Sequence, residues 1–176
     1  MPVQTLLILA LLSLVTACGV TDLARRRIPN RFLLLGWCVA LPLQVAAGLP
    51  AGPLAALGGA ATGLLLFLPL YMLRGMAAGD VKLMATVGAF VGPASALHIG
   101  LLAWAVGGAM ALLVVIVRGQ LRPVLANLRE LLRPLLLRAA GVPLAPVPLS
   151  RPSVGSIPYG LAIAAAVIGF VWTRHG

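Results

Sequence analysis

Met76-Ala77-Ala78-Gly79-Asp80-Val81-Lys82-Leu83-Met84 places a carboxylate at the mouth of an apolar segment. The whole chain holds 3 acidic residues, Asp22, Asp80 and Glu130. A charge at membrane depth costs about 2.5–3.5 kcal/mol even on the mildest scale. Asp80 therefore needs a reason to stand where it does, and Asp22 needs the same one. The segment that Asp80 opens is one of several apolar runs filling most of the sequence. Hydrophobic residues make up 61% and charged residues 9%, and mean hydropathy is +1.10. A soluble domain carries about 25% charge. So apolar a chain cannot cover itself with polar surface. It reads as an all-α, polytopic membrane protein, one domain over 1–176, with room for about six spans of about 20 residues each.

Working outward from Asp80, the expected spans are 3–20, 32–49, 54–73, 81–91, 94–117 and 157–172. No Lys or Arg precedes the first, so it reads as a retained helix rather than a signal peptide. The fourth is short for a full crossing. It either starts deeper, with Asp80 inside the boundary, or tilts behind its neighbours, and both draw Asp80 toward a protein interior. Gly59 with Gly63, and Gly88 with Gly92, are spaced for close helix approach. Tyr159 and Trp172 read as anchors at the two ends of the last span.

The basic residues choose a side. Loops after the first, third and fifth spans carry Arg25, Arg26, Arg27, Arg31, Arg74, Lys82, Arg118, Arg122, Arg129, Arg133, Arg138 and Arg151. Of the 13 Lys and Arg residues, only Arg174 falls opposite. The positive-inside rule puts those loops in the cytoplasm and both termini outside. A net charge of +10 would suggest nucleic acid in a soluble protein; here it sets topology, and no nucleic-acid partner is expected.

Within the cytoplasmic segment 118–156, Leu121, Val124, Leu125, Leu128, Leu131, Leu132 and Leu135 recur at helical steps between arginines. This is a basic amphipathic interfacial helix, between the fifth and sixth spans, suited to anionic membrane lipid. A partner protein is the other reading. The stretch 142–158 reads as a Pro-rich extended linker.

Asp22 follows the first span and Asp80 opens the fourth, so topology brings both to one membrane face. Paired carboxylates can hydrolyse a peptide without a metal or a covalent intermediate. One takes a proton from water; the other, protonated, polarises the scissile carbonyl. Like charges a few ångströms apart cannot both ionise cheaply, so such a pair shares a proton. The alternatives are plain ones. A loop Asp near arginines is usually a solvated ion pair, and an Asp opening a helix is usually a cap. No metal and no cofactor is expected: Cys18 and Cys38 lack zinc spacing, and His98 is a single remote imidazole.

Helix dipoles suggest roles. Asp80 lies at a helix N-terminus, which favours the anion, and Asp22 just past a C-terminus, which does not, each by about 0.3–1 kcal/mol. On that basis Asp80 is the base and Asp22 carries the proton. Lys82, two residues on, is expected to snorkel to lipid phosphate.

Ala77-Ala78-Gly79-Asp80 resembles the GxGD motif of the type IV prepilin peptidases, a family of aspartic membrane proteases. Asp22 with the downstream Ile28-Pro29-Asn30 resembles that family's first aspartate and its Ile-Pro-Asn. The resemblance implies an endopeptidase of the bacterial inner membrane. It would remove the short cationic leader of a prepilin, whose apolar helix follows the cut, on the cytoplasmic side. It also implies that Asp22 and Asp80 are the catalytic pair, with Gly79, Ala77, Lys82, Ile28, Pro29 and Asn30 supporting them. Two departures stand out. The first motif Gly is Ala77, which would be strained if that position needs positive φ. The chain also lacks the CxxC-bearing domain of the bifunctional members. It therefore resembles the short, peptidase-only branch serving Flp/Tad pilins, and no methyltransferase activity is expected. The alternatives are a non-catalytic assembly protein of a pilus or secretion system and, further off, an ion-coupled transporter. The oligomeric state is open, a homo-oligomer included.

Overall fold

A computed structural model describes residues 2–48, 51–73, 75–122, 124–126, 129 and 158–175. Five helices order the described residues: α1 (Pro2–Arg25), α2 (Asn30–Ala47), α3 (Ala51–Met72), α4 (Ala78–Val117) and α5 (Tyr159–His175). Four are long and apolar enough to cross a membrane, and Tyr159–Arg174 is a shorter apolar helix. The protein is all-α and polytopic, as its composition requires.

α4 is two helical arms joined at Gly92, whose φ of 77° and ψ of 173° lie outside the helical region. That conformation is almost confined to glycine. Packing shows that the arms run in opposite directions. On the first arm, Met84 lies against Gly63 and Gly88 against Gly59, so numbers rise as those of α3 fall. On the second, Pro93 lies 3.8 Å from where a Cβ on Gly58 would sit, and Gly100 faces Leu66 and Phe67. The chain therefore doubles back at Gly92-Pro93. With α1, α2, α3 and α5 this makes six apolar segments among the described residues, in agreement with the count from the sequence.

The glycines expected to permit close approach do so. A Cβ on Gly59 would run into the Gly88 backbone, and one on Gly63 into the Met84 backbone. The break in α4 exposes the last carbonyls of its first arm, which have no intrahelical donors. Gln44 of α2 supplies them: its Nε2 donates to Phe90 O at 2.8 Å and Ala89 O at 3.2 Å. A buried amide within the apolar stretch of α2 is thereby explained.

α1 buries one stripe, Leu7, Leu11, Val15, Cys18 and Asp22, at the three- and four-residue steps of a helix face. It packs on α2 and most extensively on α5. The opposite faces keep Leu6, Leu9, Leu34, Leu35, Leu64 and Leu65 exposed, as lipid contact requires. The sequence reading ended the first span at residue 20. The helix runs on to Arg25 and closes through Arg26, at φ 53°, whose N–H donates to Asp22 O at 2.8 Å. Closure of this kind normally uses glycine. Asp22 consequently sits inside the last turn of α1, not beyond it.

The chain divides into two compact units, Met1–Gly108 with Ser156–Gly176, and Ala109–Gly155. In the second, α4 ends at Gly119 (φ 64°), with Gln120 N–H donating to Val115 O at 2.9 Å and Gly119 N–H to Ile116 O at 3.0 Å. This double bond pattern is a Schellman cap. Of the expected amphipathic helix over 118–138, residues 118–122, 124–126 and 129 are described. The remainder, Glu130 included, and the Pro-rich stretch up to 157 lie outside the described residues.

Candidate active site

Three helix ends meet at one end of the first unit. α1 contributes Asp22 from its last turn, α4 contributes Asp80 from its first, and α5 begins at Tyr159. Both aspartates are buried, at 7% and 5% exposure. Their carboxylates lie within electrostatic range of each other. The two acids that the sequence brought to one face are thus brought into one place.

Each carboxylate is anchored by a backbone N–H. Asp80 Oδ2 accepts from Ala77 N–H at 3.2 Å, and Asp80 N–H donates to Ala77 O at 3.1 Å. An acid in a helix's first turn that reaches back to the N-terminal N–H is one half of a capping box. Asp22 Oδ2 accepts from Gly160 N–H at 2.9 Å. Pro158 precedes α5 and has no side-chain acceptor for that helix's first N–H groups, which need one. Asp22 supplies it from another helix. Gly160 suits the close approach: a Cβ there would meet Asp22 Oδ2 at 3.0 Å and Asp22 Cβ at 3.1 Å, so the carboxylate would have to give by a few tenths of an ångström. The charge of Arg26 also acts on Asp22.

The motif residues fall around this pair. Ile28 packs on Gly79, its Cβ and Cδ1 lying 3.4 Å and 3.7 Å from the place a Gly79 Cβ would occupy. That contact ties the Ile28-Pro29-Asn30 turn to the Asp80 turn. Pro29 precedes α2 in an extended conformation, φ −66° and ψ 128°, and Asn30 opens that helix, exposed. Ala77 and Lys82 are exposed. Ala77 has no positive φ: among the described non-glycine residues only Arg26 does. The alanine in place of the first motif glycine is accommodated without strain.

Sequence reasoning missed Tyr159 and Gly160. Tyr159, expected as an interfacial anchor, instead turns its ring onto Phe67, edge to face with centroids 6.0 Å apart. Phe67 in turn lies 6.3 Å from Trp104. A Cβ on Gly107 would strike the Tyr159 ring and hydroxyl at 2.5–2.7 Å. The phenol is within electrostatic range of Asp80. The signal available was Pro158-Tyr159-Gly160 itself: a helix start without a capping side chain, on a face with two span-flanking acids.

The dipole argument for the two roles does not survive. Asp80 stands at the N-terminus of α4 and Asp22 receives the N-terminus of α5. Asp22 lies in the last turn of α1 but also receives the N-terminus of α5, so the α1 dipole alone no longer sets the two carboxylates apart. Among the described residues, no group of three or more His, Cys, Asp or Glu converges. What the arrangement offers chemically is two carboxylates, each with one oxygen held by the main chain.

The sequence profile of the type IV leader peptidase family matches residues 9–112, which include both aspartates. The chain belongs to the type IV leader peptidase family. Searches of curated proteins and of solved structures return no significant match. Membership makes this a multi-pass membrane peptidase whose family acts on prepilins. In this leader peptidase the matched stretch carries α1 from its second turn, α2, α3 and most of α4, whereas α5 lies beyond it.

Proposed function

We propose that this leader peptidase is an aspartic endopeptidase of the bacterial inner membrane. It cleaves the basic leader from Flp-like prepilins at the cytoplasmic face, using Asp22 and Asp80. The observation that carries the reading is the meeting of two buried acids, from α1 and α4, at three helix ends. Burying even one carboxylate is costly; two together call for a function.

The chemistry follows from the pair. Water's oxygen attacks the scissile carbonyl carbon as one carboxylate takes its proton. The other acid gives its proton to the carbonyl oxygen, forming a gem-diol. Collapse breaks the C–N bond: the proton just collected goes to the departing nitrogen, and one gem-diol hydroxyl returns its proton to the second carboxylate as the new C=O forms. Both carboxyl groups return to their starting states without a bound cofactor.

The exposed Lys82 and the arginines of the same face suit anionic lipid, which holds the site at the cytoplasmic surface. The leader, being cationic, is drawn by lipid or by the carboxylates, not by those arginines.

Co-expression with candidate prepilins tests this. Wild type should shorten the precursor on a gel, and Asp22→Ala and Asp80→Ala should leave it full length. Retained processing in both variants would leave an assembly protein as the better reading.

A further inference from the structure

The geometry points to the first turn of α5 as the positioning element of Asp22: the Gly160 N–H fixes the Asp22 carboxylate, and the Tyr159 ring fixes the Gly160 N–H. Its catalytic consequence rests on the two-aspartate reading above; the contact itself does not.

Asp22 projects from the last turn of α1, where the helix is already closing through Arg26. A side chain at such an end keeps freedom that costs rate, because a displacement of about 1 Å can lower turnover about a hundredfold. The main chain of α5 removes that freedom. Its Gly160 N–H meets Asp22 Oδ2 at 2.9 Å in a buried setting. The height of that N–H is set one residue earlier. Tyr159 fills the space left by Gly107, with its ring edge-on to Phe67, so the start of α5 is keyed to α3 and α4 as well as α1. One turn thus touches Asp22 through its Gly160 N–H, and the ring that seats that turn packs on Phe67 of α3 and against Gly107 of α4. Both residues lie outside the stretch 9–112 that the family profile matches. The matched stretch carries the acids, and the last helix completes the site.

Two comparisons test this on the full chain in detergent. The first uses a precursor pilin that the wild type cleaves in co-expression. Gly160→Ala, whose methyl pushes the Asp22 carboxylate back by a few tenths of an ångström, should lower kcat about three- to tenfold while KM stays within about twofold. Gly169→Ala is the control on the same helix, because nothing lies within 4 Å of a Cβ there; both of its constants should match wild type. Wild-type kcat in Gly160→Ala, or a loss carried by KM, overturns the proposal. The second comparison needs no substrate and decides alone if Gly160→Ala does not fold or no precursor is cleaved. Asp22→Asn keeps an oxygen for the Gly160 N–H and should melt with wild type. Asp22→Leu, of similar size, has none and should melt about 2–4 °C lower. Equal melting of the two variants overturns the contact, whatever the fate of the peptidase reading.

Discussion

Asp80 and Ala77 hold each other through two hydrogen bonds, side chain to main chain at 3.2 Å and main chain to main chain at 3.1 Å. The candidate catalytic acid is therefore also the cap of the helix that carries it. Structure and chemistry at this residue can be separated, because an amide oxygen caps as a carboxylate does but cannot exchange a proton.

Asp80→Asn should accordingly fold and insert like wild type while losing cleavage by about 10²–10⁴-fold. Asp22→Asn should lose a similar amount, since both acids are set at helix N-termini by a backbone N–H. Cleavage rates of the two purified variants check this. A large residual rate in only one of them would restore unequal roles.

Ala77→Gly restores the first glycine of the motif. Ala77 already adopts a conformation open to any residue, so the change relieves nothing. Activity should stay within about twofold of wild type, and stability should fall slightly through added chain entropy. A marked gain in kcat would mean that the alanine obstructs the substrate.

Gln44→Leu removes the donor to the Ala89 and Phe90 carbonyls at the break in α4. Leaving buried acceptors without a donor costs about 1–3 kcal/mol. Thermal unfolding in detergent should show the loss. Because Gln44 serves the turn and not the acids, kcat of the folded fraction should be unchanged.

Gly92→Ala forces a Cβ into a conformation with φ at 77°. Such strain costs about 1–3 kcal/mol. Space is not the obstacle, as the nearest atom to a Cβ at Gly92 is 3.9 Å away. Gly59→Ala differs in kind, since its Cβ would run into the Gly88 backbone and separate α3 from α4. We expect reduced but measurable folding for Gly92→Ala and failure to accumulate for Gly59→Ala, read by protease resistance in membranes.

Much of the architecture was open to a reader of the sequence because a bilayer allows few choices. Apolar runs must become helices, and Gly-Pro at 92–93 within an apolar stretch must interrupt one. The pairs Gly59/Gly63 and Gly88/Gly92 gave the close approach of α3 to α4, though not that they face each other. Asp22 and Asp80 stood out because acids are rare here and costly to bury.

Helix ends were another matter. Arginines after residue 20 argued for a loop, but α1 continues as far as Arg25. A helix terminus on the membrane surface is set by its neighbours more than by local preference. That difference of one turn moved Asp22 from a loop into a buried helix face.

By itself, then, the sequence determined the class of protein, the number of apolar segments and the pair of acids, since those depend on composition, period and charge along one dimension. Only the tertiary structure decided what holds the acids. Gly160 reaches Asp22 from a sequence separation of 138 residues, and Tyr159 is seated by Gly107 and Phe67. A backbone N–H has no letter in the sequence, and which side chain answers it depends on where three separate helices end.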